Sequence, residues 1–233
     1  MLWRASSVPG QRRAPGRRRI QPHYPGRVHS ERRPTLVIVG PPGAGKTTVG
    51  RVLARRLGVE FVDADALIEE RAGITIADLF VTGGEAGFRV LERQVVAEAL
   101  AGTVGVLALG GGAVLSAETR ELLRSHRVVH LDVGMADGLR RTGMSTARPL
   151  LAGVNPRATF KALLDARAPL YGEVATVRVD TSRRSANQVA RAVLEAIGEQ
   201  PGSLPADLPD PDDPLDRPTP HGSAPLPDPT VRP

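Results

Sequence analysis

Between an apolar run, Leu36-Val-Ile-Val39, and an amphipathic one, Thr47 to Leu57, stands Gly40-Pro-Pro-Gly-Ala-Gly-Lys-Thr47. No other feature restricts the possible folds of the chain as much. The segment fits G-x-x-x-x-G-K-[ST], a pattern that has mechanical meaning only between a strand and a helix. The run before it is short, β-branched and apolar throughout, as a central parallel strand buried on both faces requires. After it, Val49, Val52, Leu53 and Leu57 recur near helical spacing, and Gly58 supplies a C-cap. Glycines let the backbone wrap closely around phosphates with its N–H groups inward, and the helix N-terminus adds partial positive charge. Gly43, Ala44, Gly45, Lys46, Thr47 and Thr48 are therefore expected to cradle a nucleoside triphosphate. Lys46 would reach the β- and γ-phosphates, and the Thr47 hydroxyl would ligate Mg²⁺.

Further apolar runs, Val59 to Val62, Val104 to Leu109, Arg127 to Val133 and Thr176 to Val179, each precede a helix-like stretch. Alternating β and α implies a parallel sheet with right-handed crossovers. Cap signals agree: Thr75-x-x-Asp78 opens one helix, and Ser185-x-x-Gln188 opens the last, whose apolar face is Val189, Ala192, Val193 and Ile197. The segment from Thr142 to Pro156 breaks the pattern with Gly, Ser, Thr, Pro and Arg, and reads as a mobile loop.

Composition divides the 233 residues into a tail to Pro34, a core over 35–199, and a second tail over 200–233. The first tail carries nine arginines against Glu31, and the last six aspartates against Arg217 and Arg232, so the core holds only about +2 of the chain's +6. The high isoelectric point belongs to the first tail and is no nucleic-acid footprint on the folded part. Arg-rich and acid-poor also describes transit peptides and basic arms, but proline and glycine interrupt any amphipathic helix there, and a solvated disordered extension is expected. Eleven of 21 prolines fall between Pro201 and Pro233, so no packed core is expected in the second tail. The chain has no cysteine, which excludes disulfides and cysteine-ligated metal and is compatible with a cytoplasmic protein. No run of about 18 apolar residues is present, so no membrane partner is expected.

The phosphate acceptor has to be read from polar residues at the C-terminal ends of strands. Asp63 and Asp65 follow Val59–Val62, where one carboxylate could hold Mg²⁺ through water and the other accept a hydroxyl proton. A helix N-cap and first-turn acid is the structural alternative, and both roles can coexist. Gly110-Gly-Gly112 follows Val104–Leu109 and permits close approach of backbone N–H groups to an anion or hydroxyl, or is a bare turn. Arg89 and Arg167 could form forked pairs with a carboxylate, although either alone reads as a solvated arginine. Arg148, on the loop and followed by Pro149 and Leu150, suits stabilisation of γ-phosphate charge, and Arg141 at the loop base could stack on adenine.

Taken together, six segments resemble the shikimate kinases in that family's order. They are Gly40-x-x-Gly-x-Gly-Lys-Thr47, Phe61-Val-Asp-Ala-Asp65, Gly84-Glu-Ala-Gly-Phe-Arg89, Leu109-Gly-Gly-Gly-Ala113, Arg148-Pro-Leu-Leu151 and Arg167-Ala-Pro-Leu-Tyr171. The resemblance runs from about Thr35 to Glu199. It implies a P-loop three-layer α/β/α sandwich, a central parallel sheet of about five strands and a mobile lid. It also implies transfer of phosphate from ATP to the 3-hydroxyl of shikimate, in a monomer that needs no nucleic acid. Asp63 would serve the metal's water shell and Asp65 the substrate hydroxyls. Arg89, Arg167 and the Gly111–Gly112 backbone would hold shikimate, and Arg148 would be the lid arginine. Asp180-Thr-Ser-Arg-Arg-Ser185 resembles the family's adenine-side segment, with Arg184 as the candidate contact and Arg183 as its rival. Both tails depart from the family's compact form. The competing readings are a gluconate or nucleoside monophosphate kinase, and a non-catalytic shikimate-sensing module.

Overall fold

The computed structural model describes residues 34–142 and 155–199. Five parallel strands, β1 (Leu36–Val39), β2 (Glu60–Asp63), β3 (Gly105–Ala108), β4 (Val128–Asp132) and β5 (Val177–Asp180), form one sheet in the order β2-β3-β1-β4-β5. In register, Val37 stands between Leu107 of β3 and Val128 of β4, so the strand that feeds the glycine-rich loop lies at the centre. All four residues of β1 are buried, and their side chains alternate between two cores as the two-residue period of a strand demands. Leu36 and Ile38 join Val49, Val52 and Leu53 of α1 (Lys46–Leu57) and Val189, Val193 and Leu194 of α7 (Ala186–Ala196). Val37 and Val39 face Val96 and Leu100 of α3 (Ile76–Gly102), Leu123 of α4 (Ala117–Leu123) and Tyr171 of α6 (Pro156–Val174). Each such aliphatic side chain removed from water stabilises the fold by roughly 1.5–3 kcal/mol before the entropy of ordering it is counted.

Helix and strand are pressed closest at Gly50, where an added Cβ would lie 2.4 Å from Cε2 of Phe61. A smaller cluster of Ile68, Phe88 and Val95 joins α2 (Ala64–Ala72) to α3. Within α3, Gly84 has φ 65° and ψ −180°, which breaks the helix geometry just before Glu85 and Arg89. Glycine adopts that conformation at no steric cost. No helix among the described residues is long and apolar enough to cross a membrane.

The expected strands lie within one residue of those observed at every end. The expected loop from Thr142 to Pro156 is too wide at both ends. Helix α5 (Met135–Thr142) includes Thr142, and Pro156 opens α6 behind an Asn155 N-cap whose side chain accepts from the Ala158 N–H at 3.1 Å. Proline is favoured at the first helical position because its missing N–H would have had no partner there. The remainder of that loop, Arg148 included, and the two tails over 1–33 and 200–233 lie outside the described residues.

Candidate active site

The glycine-rich loop leaves the C-terminal end of β1 and wraps onto the start of α1. Gly43 and Gly45 have φ 79° and 83°, left-handed values that disfavour any other residue, and Gly45 is the N-cap of α1. A Cβ on Gly43 would stand 2.6 Å from the Gly138 carbonyl oxygen, so the loop is packed against the backbone of α5. Lys46 donates to the Pro41 carbonyl at 3.2 Å, which folds its side chain back over the loop. A cavity of about 410 Å³ lined by Gly43, Gly45, Lys46, Thr47, Thr48 and Arg141 opens here, at a helix N-terminus suited to anions. Beside it, Ala44, Val49, Ala186 and Val189 form the apolar lining of a second cavity, closed by Arg141, Thr181 and Arg184. Arg141 donates to the Thr181 hydroxyl at 3.0 Å and carbonyl at 2.7 Å, so it edges this cavity from α5. Of the rival pair, Arg184 lines the cavity and Arg183 does not.

At the other side of the loop the Thr47 hydroxyl donates to Asp63 Oδ2 at 2.8 Å. Asp63 Oδ1 in turn accepts from the Asp65 N–H at 3.0 Å, capping α2. Both readings of Asp63 therefore coexist in one side chain: one oxygen caps the helix and the other meets Thr47. A hydroxyl and a carboxylate so placed are the hard oxygen donors Mg²⁺ takes, with phosphate oxygens and water completing its shell. These residues fit the ion.

Asp65, Arg89, the Gly110–Gly112 turn and Arg167 converge from four separate elements. A Cβ on Gly110 would stand 2.5 Å from Asp65 Oδ1 and 3.2 Å from Glu92 Oε1. A Cβ on Gly112 would stand 2.3 Å from Nη1 of Arg89, so the guanidinium lies directly against the turn. The turn also abuts the phosphate loop, since a Cβ on Gly111 would be 3.2 Å from Pro42 Cδ. Arg89 is pinned by Glu92 at 2.6 Å and Glu85 at 3.1 Å, and Arg167, only 8% exposed, donates to the Gly111 carbonyl at 3.0 Å. Neither arginine is the freely solvated residue it would be alone.

Sequence reasoning missed Glu92 and Tyr171. Glu92 is 4% exposed, and burial pushes its carboxyl above the usual range while Arg89 opposes that shift. Its signal was available: it follows Arg89 by three residues and so shares a helix face with it. Tyr171 is fully enclosed, and its hydroxyl donates to the Gly111 carbonyl at 2.6 Å, with burial pushing its pKa up to about 12. The His130 ring stacks on it at 4.9 Å between centroids. Two donors on the Gly111 oxygen hold that peptide plane, and because the peptide is planar and trans the Gly112 N–H points the opposite way. The arrangement offers an anion two guanidiniums and a backbone donor beside a carboxylate, within reach of the phosphate loop.

The shikimate kinase family model matches residues 42–198. A shikimate kinase of Thermobifida fusca is 56% identical over 165 residues, covering 71% of this chain and 95% of that protein. One from Mycobacterium tuberculosis is 52% identical over 164 residues, 70% of this chain and 93% of its own length. Among solved structures, the shikimate kinase of Acinetobacter baumannii in complex with shikimate superposes with a TM-score of 0.69 at 43% identity, covering 72% of this chain and 94% of that one. The chain belongs to the shikimate kinase family.

Proposed function

We propose that this kinase transfers the γ-phosphoryl group of ATP to the 3-hydroxyl of shikimate, giving 3-phosphoshikimate and ADP. The observation that carries the reading is the convergence of Asp65, Arg89 and Arg167 on the Gly110–Gly112 turn, which itself touches the phosphate loop at Pro42. Shikimate brings one carboxylate and three hydroxyls, and this turn sets guanidiniums and a backbone N–H beside a carboxylate base. Arg89 and Arg167 bind the substrate carboxylate. A neutral acceptor such as a sugar would bring no charge to either guanidinium and would forgo those charge-assisted contacts, so it is disfavoured.

Phosphoryl transfer needs positioning and charge stabilisation more than covalent chemistry. The backbone of Gly43, Ala44 and Gly45, with Thr48, holds the phosphates at the head of α1, and Lys46 swings from the Pro41 carbonyl to the β- and γ-phosphates. Asp65 orients the acceptor hydroxyl and takes its proton as the oxygen attacks. Arg148 neutralises charge on the transferring group, and Arg141 and Arg184 border the base. Thr47, and Asp63 through the metal's water shell, would hold Mg²⁺, which would supply neutralisation of phosphate charge. The reading places the enzyme in the cytoplasm as a monomer, with 35–199 as the kinase domain and both tails dispensable for catalysis.

ADP release by the full chain tests this, with ATP and Mg²⁺ and with shikimate, gluconate, nucleoside monophosphates or no acceptor. Turnover that requires shikimate is the expected result. Shikimate binding without turnover would favour a sensing module, and turnover with another acceptor would overturn the roles of Arg89 and Arg167.

A further inference from the structure

Four consecutive residues, Thr181 to Arg184, link β5 to α7, and each is gripped from the β4–α5 segment. The Thr181 N–H donates to the Asp132 carbonyl at 2.9 Å, and the Ser182 hydroxyl accepts from the Gly134 N–H at 3.0 Å. The Arg183 N–H donates to Asp137 Oδ2 at 2.9 Å, and Arg141 donates to the Thr181 carbonyl at 2.7 Å and to the Arg184 carbonyl at 3.4 Å. Asp137 and Arg141 are four apart in α5 and share a face, so one helix supplies an acceptor and a donor to the same loop. Asp137 is a buried acid, 7% exposed, whose Oδ1 pairs with the exposed Arg140 at 2.7 Å while Oδ2 takes the Arg183 N–H, and nothing in the phosphoryl-transfer chemistry uses it.

Arg183 is the one non-glycine residue among the described ones with positive φ, at 56°. An L-residue pays for that conformation through crowding of its Cβ, and it persists only where the surroundings hold it. The left-handed residue turns the chain so that two adjacent arginines diverge: Arg184 enters the lining of the apolar cavity beside Ala186 and Val189, while Arg183 stays outside it.

We propose that Asp137 is a positioning residue for the nucleotide, holding Arg183 in its left-handed conformation so that Arg184 and Thr181 border the base pocket. The proposal rests on the reading of that cavity as the site of the base. Asp137 touches no reacting atom. It acts through the Arg183 backbone, and its effect falls on ATP and not on shikimate.

The test compares KM for ATP, KM for shikimate and kcat across backbone and side-chain variants of the full chain. Arg183→Val and Arg183→Gly both delete the exposed arginine side chain, but only glycine takes positive φ freely. Valine is expected to raise KM for ATP about three- to tenfold relative to glycine, with shikimate KM and kcat within twofold. Asp137→Ala is expected to raise KM for ATP similarly, and Asp137→Ala combined with Arg183→Gly to recover most of that loss. Equal ATP affinity in the valine and glycine variants would overturn the proposal, as would a double variant no better than Asp137→Ala alone. Should Asp137→Ala fail to fold, Asp137→Ser, whose shorter side chain withdraws the acceptor from the Arg183 N–H, takes its place alone and in the double variant. Arg184→Ala separates the two readings. If it leaves KM for ATP unchanged, the base pocket itself is wrong; if it raises KM while the Arg183 pair does not differ, only the role of Asp137 falls.

Discussion

The nucleotide half and the acceptor half of the site are built by opposite means. On the nucleotide side a continuous stretch, Gly40 to Thr48, wraps backbone from the end of β1 onto the head of α1, and left-handed Gly43 and Gly45 fix the path of the chain. On the acceptor side there is no contiguous motif. Asp65, Arg89, Gly110–Gly112 and Arg167 arrive from α2, α3, the turn after β3 and α6, and ion pairs with Glu92 and Glu85 hold Arg89 in place. A phosphate chain is common to many substrates and can be met by backbone alone. A particular acid with particular hydroxyls needs side chains whose rotamers are locked by neighbours.

The largest break between the halves is expected at Arg148, assigned to the transferring group itself. Arg148→Ala should lower kcat by a factor on the order of 10³, with shikimate KM within a few-fold. Steady-state kinetics with unchanged kcat would remove it from the mechanism. Next come Arg167→Ala and Arg89→Ala, each expected to raise shikimate KM by the equivalent of about 1.5–3 kcal/mol and to leave ATP KM alone. Arg167 should be the more damaging, because it also holds the Gly111 carbonyl. Normal saturation by shikimate in both variants would place the carboxylate elsewhere.

A subtler test of the acceptor side is Gly112→Ala. Its φ of −101° suits alanine, and the nearest obstacle is the Arg89 guanidinium, which the new methyl would push from its seat. Shikimate KM is expected to rise by less than in Arg89→Ala, about threefold to tenfold, with thermal stability nearly unchanged. A loss of ATP affinity instead would mean the turn serves the nucleotide.

The smallest effect concerns His130, behind the turn. Neither of its ring nitrogens has a hydrogen-bond partner, and burial holds its pKa below the ordinary 6.5. The unfolded chain therefore takes up a proton more readily than the folded one. Its contribution is intact above pH 6.5 and is lost as pH falls from there toward the lowered folded value. His130→Leu should flatten that part of a denaturation-against-pH curve, while changing stability at pH 8 by within about 1 kcal/mol, since relief of the unpaired nitrogens offsets loss of the stack on Tyr171. An unaltered acid limb would assign it to other groups.

Periodicity, caps and turn residues made most of the fold legible. Leu36–Val39 is a strand with the expected bounds, Gly58 is left-handed at φ 65° as a C-cap glycine should be, and Ser185 with Gln188 forms a reciprocal capping box. The far end of the expected loop is set too late because proline reads as a breaker, whereas Pro156 opens α6 and Pro169 lies inside it. The short motifs are legible along the chain, whereas the contacts of Glu92 and Tyr171, which depend on what the fold brings opposite them, are not. Glu92 and Tyr171 look like ordinary helix residues until Arg89 and the Gly111 carbonyl are opposite them.

The amino-acid sequence by itself determined the phosphate loop, the alternation of strand and helix and the family, because φ preference, hydrophobic period and motif spacing are properties of neighbours along the chain. Only the tertiary structure decided that Arg184 and not Arg183 borders the apolar cavity beside the phosphate loop, that one Asp63 carboxylate both caps α2 and meets Thr47, and that Gly111 is held from α6. Each of those outcomes depends on which group the fold brings within hydrogen-bond reach, and for Thr47 and Asp63, or Gly111 and Tyr171, the partners are 16 and 60 residues apart in the chain.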